Sequence, residues 1–151
     1  MRNGAGNNVL TKSSRLLLEK HRVTGIDASP QMLQRAQKLP FAHLLVRDIG
    51  QPFALPEKFN AAICVGVFDF VQNPIALLRE IYSNLLPNAL FAVTFPATPN
   101  DSLTSYTSEQ VKQLTSDANF KIQLISQIIG YIDSESKETV YFWAVLLERS
   151  E

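Results

Sequence analysis

Apolar and polar positions alternate along the chain in a way that predicts helices and strands in turn. Val9, Leu10, Leu16 and Leu17 recur at helical spacing, which predicts an amphipathic helix over residues 8–20. The uncharged run AAICVGVF at residues 61–68 is typical of a strand that is buried on both faces of a sheet. Other apolar or β-branched runs predict strands at residues 22–27, 43–49 and 89–96, and the chain closes with KIQLISQIIGYI and TVYFWAVLLER.

Helix-starting signals stand between these strands. Ser29-Pro30 and Asn73-Pro74 each pair a capping residue with a proline suited to the first helical turn, and Thr107 with Gln110 has the spacing of a capping box. The polar stretch 133–138 predicts a hairpin connection between the last two strands. We therefore expect an α/β fold in one domain over residues 1–151, with an open, mostly parallel sheet, helices on both faces and a C-terminal antiparallel hairpin.

Composition narrows the class of function. The 151 residues are 46% apolar and 19% charged, and 14 basic residues balance 14 acidic ones. This balance gives no long-range field to attract nucleic acid or an anionic membrane. No apolar run approaches the ~20 residues that span a bilayer, and the single cysteine, Cys64, has neither disulfide partner nor metal-ligand spacing. We expect a cytoplasmic protein with no metal, nucleic-acid or membrane partner.

Candidate chemistry gathers where the predicted parallel strands end, because ligands of such sheets bind outside the carboxyl ends of the strands. The loop Gly4-Ala5-Gly6 opens the chain, Asp27 ends one predicted strand and Asp48 ends the next. An acid at the tip of a strand can accept hydrogen bonds from both hydroxyls of a ribose. A dinucleotide fingerprint is excluded because Val9 stands where its third glycine belongs.

The ordered series GAGNN, VTGIDASPQMLQRAQ, RDIGQPF, FNAAICVGVFDFVQNPIALLREI and LLPNALFAVTFP, from residue 4 to about residue 96, resembles class I S-adenosylmethionine-dependent methyltransferases of the small-molecule branch. The resemblance implies a Rossmann-like sheet, S-adenosylmethionine as cofactor and a small-molecule acceptor. It also implies a cofactor-binding set of Gly4, Ala5, Gly6, Asp27, Ala28, Met32, Asp48, Ile49, Val65 and Gly66.

In this set the resemblance assigns the glycine loop to the methionine part of the cofactor, Asp27 to the ribose and Asp48 to the adenine amino group. Ala28 and Met32 would pack near the adenine or ribose, Ile49 against the ring face, and Val65 with Gly66 near the sulfonium. Asp69 stands where this branch often has histidine and is the candidate catalytic residue facing the acceptor, with Tyr106 and Tyr131 as weaker candidates.

Simpler interpretations stay open for each residue. The two glycines fit a flexible terminus, Asp27 a helix cap or solvated strand end, Asp48 a surface ion pair, and Asp69 an exposed acid at a helix start. Cys64 is expected to serve packing.

The front of the chain departs from the family pattern. Met1 to Asn3 are too few to form the core strand that normally precedes the glycine loop, between the strands that end at Asp27 and Gly66. Asn8 and Asn60 also replace usual family residues, and Asn88 and Ala89 stand where the family pattern has two glycines after Pro87. We therefore expect a domain that is incomplete at its N-terminus, so that the chain is unstable, pairs with another chain or represents an incomplete gene product. Unpaired sheet edges would be the surface for self-association. The alternative to an active enzyme is an inactive or truncated methyltransferase-like binding module.

Overall fold

The computed structural model describes residue 16, residues 18–99 and residues 104–151. It divides into two compact units, an N-terminal unit that ends at Ile49 and a C-terminal unit that begins at Gly50. The described helical residues 16 and 18–20 fall within the helix predicted over residues 8–20. The rest of that prediction lies outside the described residues. The expectation of a single domain stays a prediction.

The N-terminal unit contains a parallel pair of strands joined through a helix. Its elements are β1 (Thr24–Asp27), α1 (Pro30–Ala36) and β2 (His43–Val46). Ser29 caps α1 as predicted, since its hydroxyl accepts a hydrogen bond from the Met32 backbone N–H at 3.4 Å. Strand packing is tight at Gly25, where an added Cβ would come within 2.8 Å of the Leu44 side chain. Both strands lie within their predicted ranges.

The C-terminal unit is a four-stranded sheet in the order β3-β4-β6-β5. Strands β3 and β4 are parallel, whereas β6 is antiparallel to both β4 and β5. The predicted α/β class and closing hairpin are confirmed. The elements of this unit are β3 (Phe59–Cys64), α2 (Pro74–Ser83), β4 (Leu85–Pro96), α3 (Ser108–Asp117), β5 (Phe120–Ile132) and β6 (Thr139–Arg149).

Local signals in the sequence start these helices as expected. Asn73 caps α2 by accepting the Ala76 N–H at 3.1 Å. At α3, the Thr107 hydroxyl accepts the Gln110 N–H at 3.1 Å and the Gln110 side chain accepts the Thr107 N–H at 2.8 Å, which completes the capping box. These bonds satisfy N–H groups that a helix start leaves without partners.

The core of the C-terminal unit lies on one face of its sheet. Side chains of β4 alternate, so that Phe91, Val93 and Phe95 are buried while Leu90 faces the other way and is 44% exposed. Further buried side chains come from the two helices and from β6: Leu77, Leu78, Val111, Val145 and Leu147.

The prediction that residues 61–68 form a strand buried on both faces is wrong. The strand ends at Cys64, and Ile63 and Val65 are 78% and 67% exposed. Side chains of a strand point to alternate faces, so a continuous apolar run does not show whether both faces are covered. Within the described residues, the face that carries Ile63 also exposes Leu90 and Leu124.

Strand pairing leaves two sheet edges to note. Among the described residues, β1 pairs only with β2 and β3 only with β4. β1 and β3 are the two strands between which the family pattern places the core strand that precedes the glycine loop. Incompleteness of the domain and self-association through sheet edges stay predictions. None of the helices in the described part of the chain is long and apolar enough to span a membrane.

Candidate active site

The acids Asp27 and Asp48 lie at the same edge of the N-terminal unit. Asp27 is the last residue of β1 and is in register with Val46, the last residue of β2. The Arg47 N–H donates to the Asp27 carbonyl oxygen at 3.1 Å, so the parallel pairing continues to this edge. Asp48 follows one residue later and is exposed. The sequence correctly placed both acids where two neighbouring parallel strands end.

The Asp27 side chain is half-buried and locally ordered. Its Oδ1 accepts the backbone N–H of Ser29 at 2.7 Å, which closes a tight turn between β1 and α1. Asp27 and Met32 border a small pocket of about 190 Å³ whose other walls are largely apolar, among them Leu33 and Phe41. An acid at the rim of an apolar recess suits a ligand that combines a flat apolar ring with hydroxyl groups.

The end of β3 presents an open stretch of backbone. Gly66 has φ +70°, a conformation that L side chains rarely adopt, and a Cβ added there would meet nothing within 4 Å. Its N–H donates to the Thr94 hydroxyl at 3.1 Å, which fixes the turn against β4. Because Val65 before it is mostly exposed, a ligand can approach this backbone closely.

Asp69 is buried rather than exposed. It is 9% exposed, and its Oδ1 has no hydrogen-bond partner among the described residues. Burial raises the pKa of this carboxyl group, and a hydrogen bond from its own backbone N–H opposes the rise. The simpler interpretation, an exposed acid at a helix start, is wrong, because α2 begins only at Pro74 and Asp69 lies within the core.

A row of three aromatic rings begins at the residue before this acid. The ring of Phe68, its chain neighbour, lies 4.7 Å from the ring of Phe95, and the Phe95 ring lies 5.5 Å from that of Tyr106 in an edge-to-face arrangement. Tyr106 is 7% exposed, and its hydroxyl has no hydrogen-bond partner among the described residues. Burial, followed by the charge of Asp69, raises the pKa of Tyr106.

Among the described residues, the pKa of Cys64 is also affected by the charge of Asp69. Burial is the main cause that raises the pKa of its thiol to about 12, and Asp69 adds to the effect. A thiol with such a pKa stays protonated and is a poor nucleophile near neutral pH. Its position on the sheet is consistent with the packing role expected from the sequence.

The structure brings only some of the expected site residues together. Gly4, Ala5 and Gly6 lie outside the described residues. In the N-terminal unit, Ala28 follows Asp27 directly and is exposed, and Ile49 follows Asp48 directly and is half-buried. In the C-terminal unit, the candidates are Val65, Gly66 and Asp69. Tyr131 is 41% exposed and its ring packs near Phe142, whereas Tyr106 lies with the aromatic row.

Two residues of the C-terminal unit were missed. Thr94 holds the Gly66 turn, and Phe95 contacts both Phe68 and Tyr106. The two-residue alternation of β4 indicates that Thr94 and Phe95 point to opposite faces, but the partners depend on pairing across the sheet. No group of three or more His, Cys, Asp or Glu side chains within the described ranges is arranged to hold a metal ion.

Comparison with known proteins identifies the family of this chain. Residues 2–93 match the family model of the methyltransferase domain. The match covers more than half of the 151 residues, and the chain therefore belongs to the methyltransferase domain family. No curated protein matches the sequence significantly.

Solved structures share the fold at low sequence identity. A SAM-dependent methyltransferase from Methanosarcina mazei is 13% identical with a TM-score of 0.69, over 91% of this chain and 86% of that one. The 1,6-didemethyltoxoflavin-N1-methyltransferase of Burkholderia thailandensis, with bound 1,6-didemethyltoxoflavin and S-adenosylhomocysteine, is 15% identical with a TM-score of 0.69, over 92% of this chain and 66% of that one.

Magnesium protoporphyrin IX methyltransferase from Synechocystis, with bound SAM, is 18% identical with a TM-score of 0.66, over 91% of this chain and 64% of that chain. The present chain thus spans about two thirds of the Burkholderia and Synechocystis enzymes. At sequence identities of 13–18%, the similarity to these structures establishes the shared fold alone.

Proposed function

We propose that this protein transfers a methyl group from S-adenosylmethionine to a small-molecule acceptor by in-line displacement. The observation that carries the proposal is the position of Asp27, whose carboxylate ends β1 at the rim of the apolar pocket next to Met32. Membership of the methyltransferase domain family supports the reaction class. Small-molecule acceptors of the Burkholderia and Synechocystis enzymes support the acceptor class.

The described residues fit the cofactor in two respects. The Asp27 carboxylate, at the end of β1, is a hydrogen-bond acceptor of the kind that a ribose diol needs, and a second acid, Asp48, follows the neighbouring strand. Gly66 leaves open space where a Cβ would otherwise stand beside a ligand. The two carboxylates of the N-terminal unit suit the hydroxyl and amino groups of a nucleoside better than a phosphate ligand, because a carboxylate repels phosphate.

We assign the residues of the site as follows. Asp27 would accept hydrogen bonds from the ribose hydroxyls and Asp48 would accept one from the adenine amino group. Five residues would supply apolar or close contacts: Ala28 and Met32 at the adenine or ribose, Ile49 at the ring face, and Val65 with Gly66 near the sulfonium. Gly4, Ala5 and Gly6, within the family match, would line the methionine part.

The chemistry asks the protein mainly for positioning. When bound, S-adenosylmethionine supplies an electrophilic methyl group on a sulfonium. The protein contributes by holding the acceptor in line, which replaces a bimolecular encounter by an oriented one. Asp69 would be the catalytic residue that faces the acceptor and takes up its proton, and the rise of its pKa by burial makes it a stronger base than an exposed aspartate.

Calorimetric titration with S-adenosylhomocysteine tests the proposal. Two charged hydrogen bonds to the ribose are worth about 3 kcal/mol together, so Asp27→Ala should weaken binding about 100-fold. The matched control is Asp117→Ala, which removes an exposed acid of α3 hydrogen-bonded to Gln113. A folded wild-type protein that does not bind S-adenosylhomocysteine would sink the proposal. Binding without turnover of any small-molecule acceptor would instead favour a methyltransferase-like binding module.

A further inference from the structure

Gly66 lies in a stretch of the C-terminal unit that side-chain packing does not hold. The pairing of β3 with β4 ends at Cys64 and Val93, two residues before Gly66. Gly66 itself has φ +70° and open space where a Cβ would stand, and Val65 before it is 67% exposed. Because glycine has more conformational freedom than any other residue, a bond from outside the turn is what keeps this backbone in one conformation.

Thr94 of β4 supplies that bond. Its hydroxyl oxygen accepts the Gly66 N–H at 3.1 Å, from a position 28 residues further along the chain. In a regular parallel ladder the N–H groups of one strand donate to main-chain carbonyl oxygens of the next strand. Here a side-chain oxygen accepts the N–H instead, so the backbone can leave the sheet directly after β3 and turn to a positive φ.

The strand that carries Thr94 does not itself require a hydroxyl group at this position. Thr94 is half-buried and lies on the same face of β4 as Leu90 and Ala92, opposite the buried Phe95. Valine has the same branched shape as threonine and suits a strand equally well. What threonine adds here is the oxygen that accepts the Gly66 N–H.

We infer that Thr94 is a positioning residue for the cofactor, because it fixes the Gly66 backbone in the conformation that leaves room for the ligand. This inference rests on the proposed function, in which Val65 and Gly66 lie near the sulfonium. Thr94 acts through the Gly66 N–H and not by contact with the reacting atoms. A turn that is ordered before the ligand arrives binds more tightly, since the ligand does not have to select a minor conformation of the backbone.

Two variants separate the oxygen of Thr94 from its shape. Thr94→Val removes the oxygen and keeps the shape, whereas Thr94→Ser keeps the oxygen. Loss of one hydrogen bond frees the turn, so calorimetry should show about three- to tenfold weaker binding of S-adenosylhomocysteine by Thr94→Val. Thr94→Ser should stay within about twofold of the wild type.

Hydrogen exchange of the Gly66 amide in ¹⁵N-labelled protein reports on the bond directly and without ligand. The amide should exchange about threefold faster or more in Thr94→Val than in the wild type or Thr94→Ser, because its acceptor is gone.

Thr98→Val is the matched control. The Thr98 hydroxyl oxygen accepts the Tyr141 N–H at 2.7 Å, which is the same kind of bond between a threonine and the backbone of a neighbouring strand but does not involve Gly66. A merely structural role of Thr94 predicts that both valine variants lose stability in urea unfolding and that neither loses affinity. Positioning predicts that Thr94→Val alone loses affinity for S-adenosylhomocysteine.

Equal affinity of the wild type and Thr94→Val would overturn the inference and leave the proposed function standing, since both proteins would still bind the ligand. So would an equal loss of affinity in Thr94→Val and Thr94→Ser, or in Thr94→Val and Thr98→Val. A wild-type protein that does not bind S-adenosylhomocysteine would overturn the proposed function and the inference together. If Thr94→Val does not fold, Thr94→Ala removes the same oxygen and takes its place, with the same expected result.

Discussion

The acids at the edge of the N-terminal unit and the acid in the core of the C-terminal unit differ in surroundings. Asp27 is half-buried with one oxygen bonded to a backbone N–H, and Asp48 is exposed. Asp69 is buried, with Oδ1 unpaired among the described residues and its pKa raised by burial. The first arrangement suits hydrogen bonding to a polar ligand, whereas the second suits proton transfer.

The difference follows from what stands next to each acid. Asp27 is followed by the turn and cap of α1, which supply a donor at Ser29. Asp69 is preceded by Phe68, whose ring packs against Phe95 of the aromatic row. Residue type alone therefore does not decide the role of an acid in this fold. Packing of its chain neighbours does.

The largest effect should come from breaking the aromatic row. Phe95→Ala removes a ring with no exposed surface that contacts both Phe68 and Tyr106. Deletion of a buried phenylalanine ring costs about 3–5 kcal/mol, because transfer energy and packing are both lost. Urea unfolding followed by the fluorescence of Trp143, the single tryptophan, measures this loss in the free energy of unfolding.

Phe70→Ala provides the matched control for this change. Phe70 follows Asp69 directly but is 69% exposed, so its removal should change the free energy of unfolding by no more than about 0.5 kcal/mol. Similar losses of stability in the two variants would mean that the row of Phe68, Phe95 and Tyr106 does not stabilise the core next to Asp69. The contrast between buried and exposed acids would then lose its structural basis.

Local features of the fold could be predicted from the sequence, because they depend on residues close in the chain. Thr107 and Gln110 form the capping box, and Asn73 caps α2, as their spacing indicated. Asn88 replaces a glycine of the family pattern and takes φ 62°, which asparagine tolerates better than most residues. The positions of Asp27 and Asp48 at strand ends follow from the same short-range logic.

Burial of β3 and Asp69 could not be predicted, because it depends on contacts distant in sequence. The apolar character of Ile63 does not show that its face of the sheet is exposed. Asp69 is polar, and its neighbour Phe68 packs against Phe95, which packs against Tyr106, pairs separated by 27 and 11 positions. Such partners become neighbours only once the strands pair.

An intermediate effect is expected at Gly66, where the fold meets the proposed cofactor. Alanine at φ +70° costs about 1–2 kcal/mol, although its Cβ would find open space. Asparagine tolerates this conformation, so Gly66→Asn should lose less stability than Gly66→Ala. Both side chains would occupy the space left for a ligand and should weaken S-adenosylhomocysteine binding. Calorimetry measures the affinity for S-adenosylhomocysteine and urea unfolding measures the stability. Undiminished affinity in both variants would show that Gly66 is not part of the cofactor site.

The smallest effect is a change in the pH dependence of stability, and it sharpens the contrast between the acids most directly. Burial raises the pKa of Asp69 above its ordinary value of 3.8, so below that pH both folded and unfolded chains carry the proton and no stability is lost. As the pH rises through the folded-state pKa, the folded protein must ionise a buried group and loses stability relative to Asp69→Asn. The free energy of unfolding of Asp69→Asn should therefore gain on that of the wild type as the pH rises above about 4. Among the described residues, Cys64 and Tyr106 are also affected by the charge of Asp69, but their pKa values are raised and both groups stay neutral up to neutral pH. Urea unfolding of both proteins across the range measures the difference, and parallel curves would show that the charge of Asp69 is as well accommodated as that of an exposed acid.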